Sequence, residues 1–307
     1  MTAGPALSIV MCTYDRYDLI GEAVRTLLAD PSLDPERHEI LVVDNTPATR
    51  RRKVDFAAPG VLRVEGCDAL GLSHARNHGI VATEGGIVAF LDDDAYVHPG
   101  WCAAVERAFA EQPDAAVVGG KVLPRYDSPD RPHWYEDRLS GYLSCIDWGN
   151  AGRFLKPGQW IVGANMAWRR GVFDRHGGFN TALGRRGSAT LISNDETELL
   201  GRVGLAHVWY EPAMVAEHLV PVERMTLSFF RSRVYWQAIS DMVAGIARTD
   251  AKELQADFAD IIVRLPPENR NMRAFSFEPT DREQFALQLR AIYAAALMMG
   301  TATPVPR

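Results

Sequence analysis

Short apolar runs alternate with amphipathic stretches along the first 120 residues. Residues 7–12 (Leu-Ser-Ile-Val-Met-Cys) form a short apolar run, the pattern of a buried strand. Asp18 is placed to cap a helix running to about Ala29, stopped before Pro31. Residues 39–43 and 61–64 read as the second and third strands. Ser73 opens a helix to about Ala82, and residues 87–91 read as a fourth strand running into Asp92-Asp93-Asp94. Pro99 starts a helix to about Glu111, and residues 115–119 make a fifth strand. Strands alternating with helices of this length predict an α/β fold whose mainly parallel sheet is covered on both faces. In such sheets ligands bind beyond the carboxyl ends of the strands. Polar residues collect there: Thr13-Tyr14-Asp15, Asp44-Asn45 and Asp92-Asp93-Asp94.

The pattern changes at residues 124–160, where Pro124, Pro129, Pro132 and Pro157 interleave with Trp134, Trp148 and Trp160. This predicts an irregular, aromatic-rich excursion. From about Leu227 the chain turns helical, with Phe229, Phe230, Val234, Trp236, Ile239, Met242 and Ile246. An apolar helix stripe ordinarily docks on a core; a dimer face or membrane contact is the alternative. The reading is a main domain over residues 1–221 and a C-terminal helical extension over 222–307.

Composition adds exclusions. The chain has 307 residues, 47% hydrophobic and 23% charged, which rules out wholesale disorder. Its formal charge of −6 argues against a nucleic-acid partner, whose footprint is net basic or clearly patched. The one basic run, Arg50-Arg51-Arg52-Lys53, reads as a solvated loop. Cys12, Cys67, Cys102 and Cys145 stand apart with no C-x-x-C, as in a reducing compartment. The apolar N-terminal run lacks a basic flank, and the Ala-rich stretch 285–299 is too short to span a bilayer. These features read as a cytoplasmic protein, with peripheral contact at the inner face of a membrane and a homodimer left open.

The sharpest chemical feature is the Asp92–Asp94 run. Three adjacent carboxylates repel one another unless a counter-charge sits among them. If the strand continued, Asp92 and Asp94 would face one side and offer hard oxygen donors to Mg²⁺ or Mn²⁺; a solvated acidic turn is the alternative. Asp44 could accept from a base, or cap a turn with Asn45. Arg76 and Asn77 fall in the first turns of a helix, where a cation and an amide could meet a diphosphate. In Asp195-Glu196-Thr-Glu198-Leu199 either of the first two acids could be a general base, or simply complement the helix dipole.

These pieces occur in a fixed order: Ser8 to Arg16, Val42-Val43-Asp44-Asn45, Gly71 to Asn77, Asp92 to Asp94, Gly163 to Arg170 and Asp195 to Leu199. Together, over about residues 6–220, they resemble family 2 glycosyltransferases of the GT-A fold. The resemblance implies an inverting, metal-dependent transfer of a sugar from a nucleotide-diphosphate donor, UDP being the family's commonest, in glycan or polysaccharide biosynthesis. Thr13, Tyr14 and Arg16 would then line the nucleotide pocket, and Asp44 would bind the base. Arg76 and Asn77 would meet the nucleotide, and Asp93 would lie near the ribose. Asp94 would be the main ligand of Mn²⁺ or Mg²⁺, with Asp92 completing D-x-D and His218 a further candidate. The usual motif puts an Asp at the base position; its register here gives Glu196, with Asp195 as the alternative. The three tryptophans would stack on an acceptor sugar or pack in the core.

Two rival readings stand beside this one. A catalytically decayed nucleotide- or glycan-binding module would account for the Glu196 departure. A serine hydrolase would use Ser73 in Gly71-Leu-Ser-His-Ala75, short of the last Gly of G-x-S-x-G. His74 and His78 share a helix face but lack the H-E-x-x-H context of a zinc site.

Overall fold

Strand β1 (Leu7–Thr13) is buried along nearly its whole length, as a strand covered on both faces must be. The computed structural model describes residues 5–302 except 55, 57, 59, 188, 189, 248 and 249. It follows β1 with α1 (Tyr17–Leu28), β2 (His38–Asp44), β3 (Leu62–Gly66), α2 (Leu72–Ala82), β4 (Ile87–Asp92), β5 (Ala95–Val97), α3 (Trp101–Glu111), β6 (Val117–Tyr126), β7 (Arg153–Phe154), β8 (Asn165–Arg169), α4 (Gly171–His176), α5 (Asp195–Val203), β9 (Val208–Val220), α6 (Leu227–Val243), α7 (Ala251–Arg264) and α8 (Arg282–Ala302). Helix α1 buries Ile20, Ala23, Val24 and Leu27, the spacing of one helix face. Its cap position is Arg16, without a side-chain cap bond, so Asp18 lies inside the first turn and acts on the dipole instead of capping. Helix α2 starts one residue before Ser73, from Gly71 at φ 135°, a backbone conformation that favours glycine.

The strand order is β3-β2-β1-β4-β8-β6-β9-β5, with β7 on β9. Strands β3, β2, β1 and β4 pair in parallel. Strand β8 runs antiparallel to β4 and β6, and β9 antiparallel to β5 and β7. The sheet is therefore mixed, its parallel half being the part that alternates with helices. The fifth predicted strand is the longer β6, ten residues through Tyr126.

The chain forms two compact units. The first holds residues 1–125, 144–187 and 195–219, and so the sheet with α1 to α5. Its core takes in Leu7, Ile9 and Met11 of β1, the apolar face of α1, and Trp101, Val105 and Phe109 of α3. The second holds residues 126–143, 188–194 and 220–307, including α6, α7 and α8. Within it Phe230, Val234 and Ala238, four residues apart on α6, are buried. Trp134 is core there, edge-on to Phe230 and Phe285 at 5.7 and 4.7 Å between ring centres. Among the described residues no helix is long and apolar enough to cross a membrane.

Candidate active site

Register brings the strand-end polar residues together. Thr13 on β1 lies beside Asp44 on β2, and Cys12 beside Asp92 on β4. The strand does not continue past Asp92: Asp93 and Asp94 form a tight turn into β5. Asp92 and Asp94 are thus joined by the turn and not by strand periodicity. Ala95 then pairs with His218 of β9, which sets the imidazole against Asp94. His218 Nε2 is 3.1 Å from Asp94 Oδ1, and both side chains are almost fully buried. Ligand atoms of Asp92, Asp94 and His218 all lie within 4.8 Å of one another.

A buried acidic cluster needs counter-charge. Arg16, at the start of α1, donates from Nη1 to Asp93 at 2.6 Å and from Nη2 to Asp94 at 2.7 Å. Thr13 Oγ1 donates to the other Asp93 oxygen at 2.8 Å. Even so, burial and the adjacent Asp94 charge push Asp93 up to about 7.

A second cation serves the other side of the cluster. Arg76, only 3% exposed, donates from Nη1 to Asp195 at 2.6 Å and from Nη2 to Asp92 at 3.3 Å. Its guanidinium lies over the rings of Phe90 and Phe179, at 5.9 and 5.5 Å. A Cβ at Gly163 would run into that guanidinium, so a side chain here would force the guanidinium to shift. Asp195 opens α5 in its ion pair with Arg76, and the adjacent Glu196 is half-buried. Burial, and then the Asp195 charge, push Glu196 up to about 8, with Arg76 pulling the other way. A carboxylate that holds its proton so tightly is a strong base once ionised.

The remaining predicted residues divide. Asp44 is buried at the end of β2, its carboxylate accepting from Tyr17 Oη and the Thr46 amide. Beside it opens a cavity of about 760 Å³ that Arg51, Arg52 and Lys53 also line. The basic run is therefore not simply solvated. Arg50 bonds Tyr14 Oη at 2.7 Å and pairs with Asp15 at 3.0 Å, tying that loop to the end of β1. Asn77 does not join the cluster, because its amide both donates to and accepts from the Phe179 backbone. Asn45 likewise braces the loop before α2, through Cys67, Ala69 and Gly71. Ser73 is buried and its hydroxyl donates to the Leu183 carbonyl, which leaves no presented nucleophile. His78 pairs with Glu65 at 2.8 Å.

The donor set suits a divalent ion. Two carboxylates and an imidazole converge, and the buried His218 Nδ1 has no hydrogen-bond partner. The carboxylates are the hard oxygen donors that Mg²⁺ and Mn²⁺ favour, and an imidazole nitrogen is a borderline donor that Mn²⁺ also accepts.

Residues 8–177, more than half of the chain, match the family model described as Glycosyl transferase family 2. The Glucosyl-dolichyl phosphate glucuronosyltransferase of Haloferax volcanii is 26% identical over 253 residues, 80% of each chain. The Validoxylamine A glucosyltransferase of Streptomyces hygroscopicus subsp. limoneus is 27% identical over 59% of this chain and about half, 48%, of its own. Among solved structures, the mannosyltransferase PcManGT from Pyrobaculum calidifontis, in complex with GDP-Man and Mn²⁺, aligns with a TM-score of 0.55 at 18% identity. That alignment covers 100% of this chain and 77% of the other. GalNAc-T7 with UDP, GalNAc and Mn²⁺ aligns at 0.50 and 13% identity, over 71% and 43%. At these identities the structural matches establish the GT-A architecture.

Proposed function

This chain belongs to glycosyl transferase family 2 and is a glycosyltransferase, and on that premise we propose that it performs an inverting, metal-dependent transfer from a nucleotide-diphosphate sugar to an acceptor hydroxyl. The observation that carries the reading is one contiguous constellation. The Asp92–Asp94–His218 group is joined through Arg76 to Asp195, next to Glu196. Asp92, Asp94 and His218 would hold Mn²⁺ or Mg²⁺, which when bound supplies positive charge to stabilise a departing diphosphate.

The chain's own residues divide the remaining work. An acceptor hydroxyl is a poor nucleophile at neutral pH and needs a positioned base. Glu196 takes that proton, being the half-buried acid whose affinity for it is raised. Asp195 is the positioning residue: its charge raises Glu196, and Arg76 holds it in place. Single displacement leaves the anomeric centre inverted and needs no covalent nucleophile. Thr13, Tyr14, Arg16, Asp44 and Asp93 form the nucleotide side, where the cavity beside Asp44 gives a base room. UDP is the proposed nucleotide, and glycan assembly the proposed setting. The solved GT-A relatives hold GDP-Man or UDP with Mn²⁺, which supports the donor class without choosing the base.

The test is Glu196→Gln, assayed for transfer from a panel of UDP-, GDP- and dTDP-sugars and separately for nucleotide binding. Transfer should fall about 10²-fold or more, the scale of a lost general base, with nucleotide affinity unchanged. Full transfer in Glu196→Gln and none in Asp195→Asn would move the base to Asp195.

A further inference from the structure

Seven tryptophans are present, and two of them sit outside the packed interior as a pair. Trp160 is 41% exposed, and Trp148 is half-buried. Their rings meet edge to face at 4.9 Å and 87°. The pair is fixed: Trp148 donates its indole N–H to the Trp160 carbonyl at 2.8 Å, and its backbone amide donates to Tyr210 Oη at 3.2 Å. In an edge-to-face pair each ring keeps apolar surface that the other does not cover. These bonds hold the Trp148 indole and the Trp160 backbone, and the exposed Trp160 ring rests against Trp148; an indole has only two side-chain torsions to order when a ligand packs on it, which makes it a good recognition surface.

Polar groups stand beside the rings in an ordered cluster. Lys121 Nζ reaches Asp147 at 3.1 Å and Asn150 Oδ1 at 2.9 Å. Asp147 and Asn150 are exposed, and Tyr210 Oη donates to Asp147 at 3.3 Å. Asp147 is the chain neighbour of Trp148, and the exposed Asp147 and Asn150 are held in place by the largely buried Lys121 ammonium; an apolar ring with a carboxylate and an amide close along the chain fits one ligand chemistry well. A pyranose ring carries an apolar C–H face for the indole and equatorial hydroxyls that both donate and accept.

The platform is tethered to the reacting groups. Trp160 is three residues from Gly163, which packs against the Arg76 guanidinium. Three residues span at most about 11 Å. The next residue, Ala164, accepts from the Asp92 amide at 3.5 Å. The Trp160 backbone is thus held within about 11 Å of Gly163, which packs on the guanidinium paired with Asp195.

We propose that Trp160 and Trp148, with Asp147, Asn150 and Lys121, form a subsite that holds a pyranose ring of a carbohydrate acceptor. As an acceptor subsite it rests on the transferase reading; as a sugar-binding surface it stands on its own geometry. The test is NMR of protein carrying ¹⁵N-indole tryptophan, titrated at millimolar concentration with cellobiose, lactose and mannobiose. The Trp160 signal is assigned by its loss in Trp160→Phe. At least one disaccharide should shift that signal. Its affinity, read in the variants from the signal of the neighbouring Trp148 indole, should fall about tenfold in Trp160→Ala, the scale of an aromatic hot spot, and stay within a few-fold in Trp160→Phe. Binding of a nucleoside diphosphate with Mn²⁺, measured on the same samples, should be equal in all three proteins. If none of the disaccharides moves the Trp160 signal while the nucleotide still binds, the subsite is wrong and the donor reading survives. If a disaccharide binds at Trp160 and no nucleotide binds, the subsite stands and the donor reading falls.

Discussion

Replacing Arg76 by Met should be among the most damaging single changes outside the hydrophobic core. The side chain keeps most of its apolar length and loses its charge. Arg76 is 3% exposed and lies 2.6 Å from an Asp195 oxygen that is equally buried. At an effective dielectric of about 20, such a pair interacts by roughly 6 kcal/mol. The cost of desolvating the guanidinium offsets part of this. Removing one partner of a buried pair typically leaves a net loss of about 3–5 kcal/mol, because the other charge is stranded. The second contact, to Asp92 at 3.3 Å, adds to the loss from a half-exposed partner. Urea unfolding at neutral pH reads the effect directly. With a slope of about 2–3 kcal/mol per molar, the midpoint should fall by about 1–2 M. The double variant with Asp195→Asn should recover most of that loss, since no charge is then stranded. Arg76 also pulls Glu196 downward, so its loss should move the rising limb of the activity profile to higher pH. A loss under about 1 kcal/mol, or no recovery in the double variant, would refute the idea that Arg76 is the buried counter-charge of Asp195.

Two further outcomes follow from the same cluster. Activity should rise with pH and level off above about 8, because Glu196 must be ionised to accept a proton and is pushed up to about 8. The stability contribution of this group runs the other way: its folded-state affinity for the proton is raised above the unfolded value of 4.5. The contribution is thus full below about pH 4.5 and lost as the pH rises through about 8. Glu196→Gln should flatten that limb in unfolding measurements across the range. Gly163→Ala should displace the Arg76 guanidinium and reproduce part of the Arg76→Met loss in urea, although no charge has changed. An unaffected midpoint would show that Arg76 has room to yield.

The gathering of polar strand ends at one edge is legible in the sequence. Thr13, Asp44 and Asp92 end apolar runs, and side-by-side parallel strands deliver their ends to one edge. That inference needs only period and length. The antiparallel half was harder, because β8 and β9 find partners far along the chain and no local signal states which. The turn at Asp93–Asp94 also escaped the pattern. An apolar strand running into acids looks the same whether the strand continues or turns, and only the pairing of Ala95 with His218 decides it. The motif places Arg16 among the nucleotide-pocket residues but does not reveal its bonds to Asp93 and Asp94, 77 and 78 positions away. Asn77 shows the reverse case, a polar side chain in the right motif that is consumed by the Phe179 backbone. The basic run at 50–53 looked solvated because its partners, Tyr14 and Asp15, lie across a loop. Charge alone identifies such groups as polar; the fold decides what satisfies them.

The central claim is that Asp92, Asp94 and His218 make nucleotide binding depend on a divalent ion. The direct measurement is calorimetric titration of UDP, GDP, CDP and dTDP into wild-type protein and Asp94→Ala, each with Mn²⁺ and with EDTA. One nucleotide should bind wild-type protein in Mn²⁺ and lose about tenfold or more in affinity, or about 1.4 kcal/mol, both in EDTA and in Asp94→Ala. Equal affinity with and without the ion, or an Asp94→Ala protein that binds as well as wild type in Mn²⁺, would contradict the account.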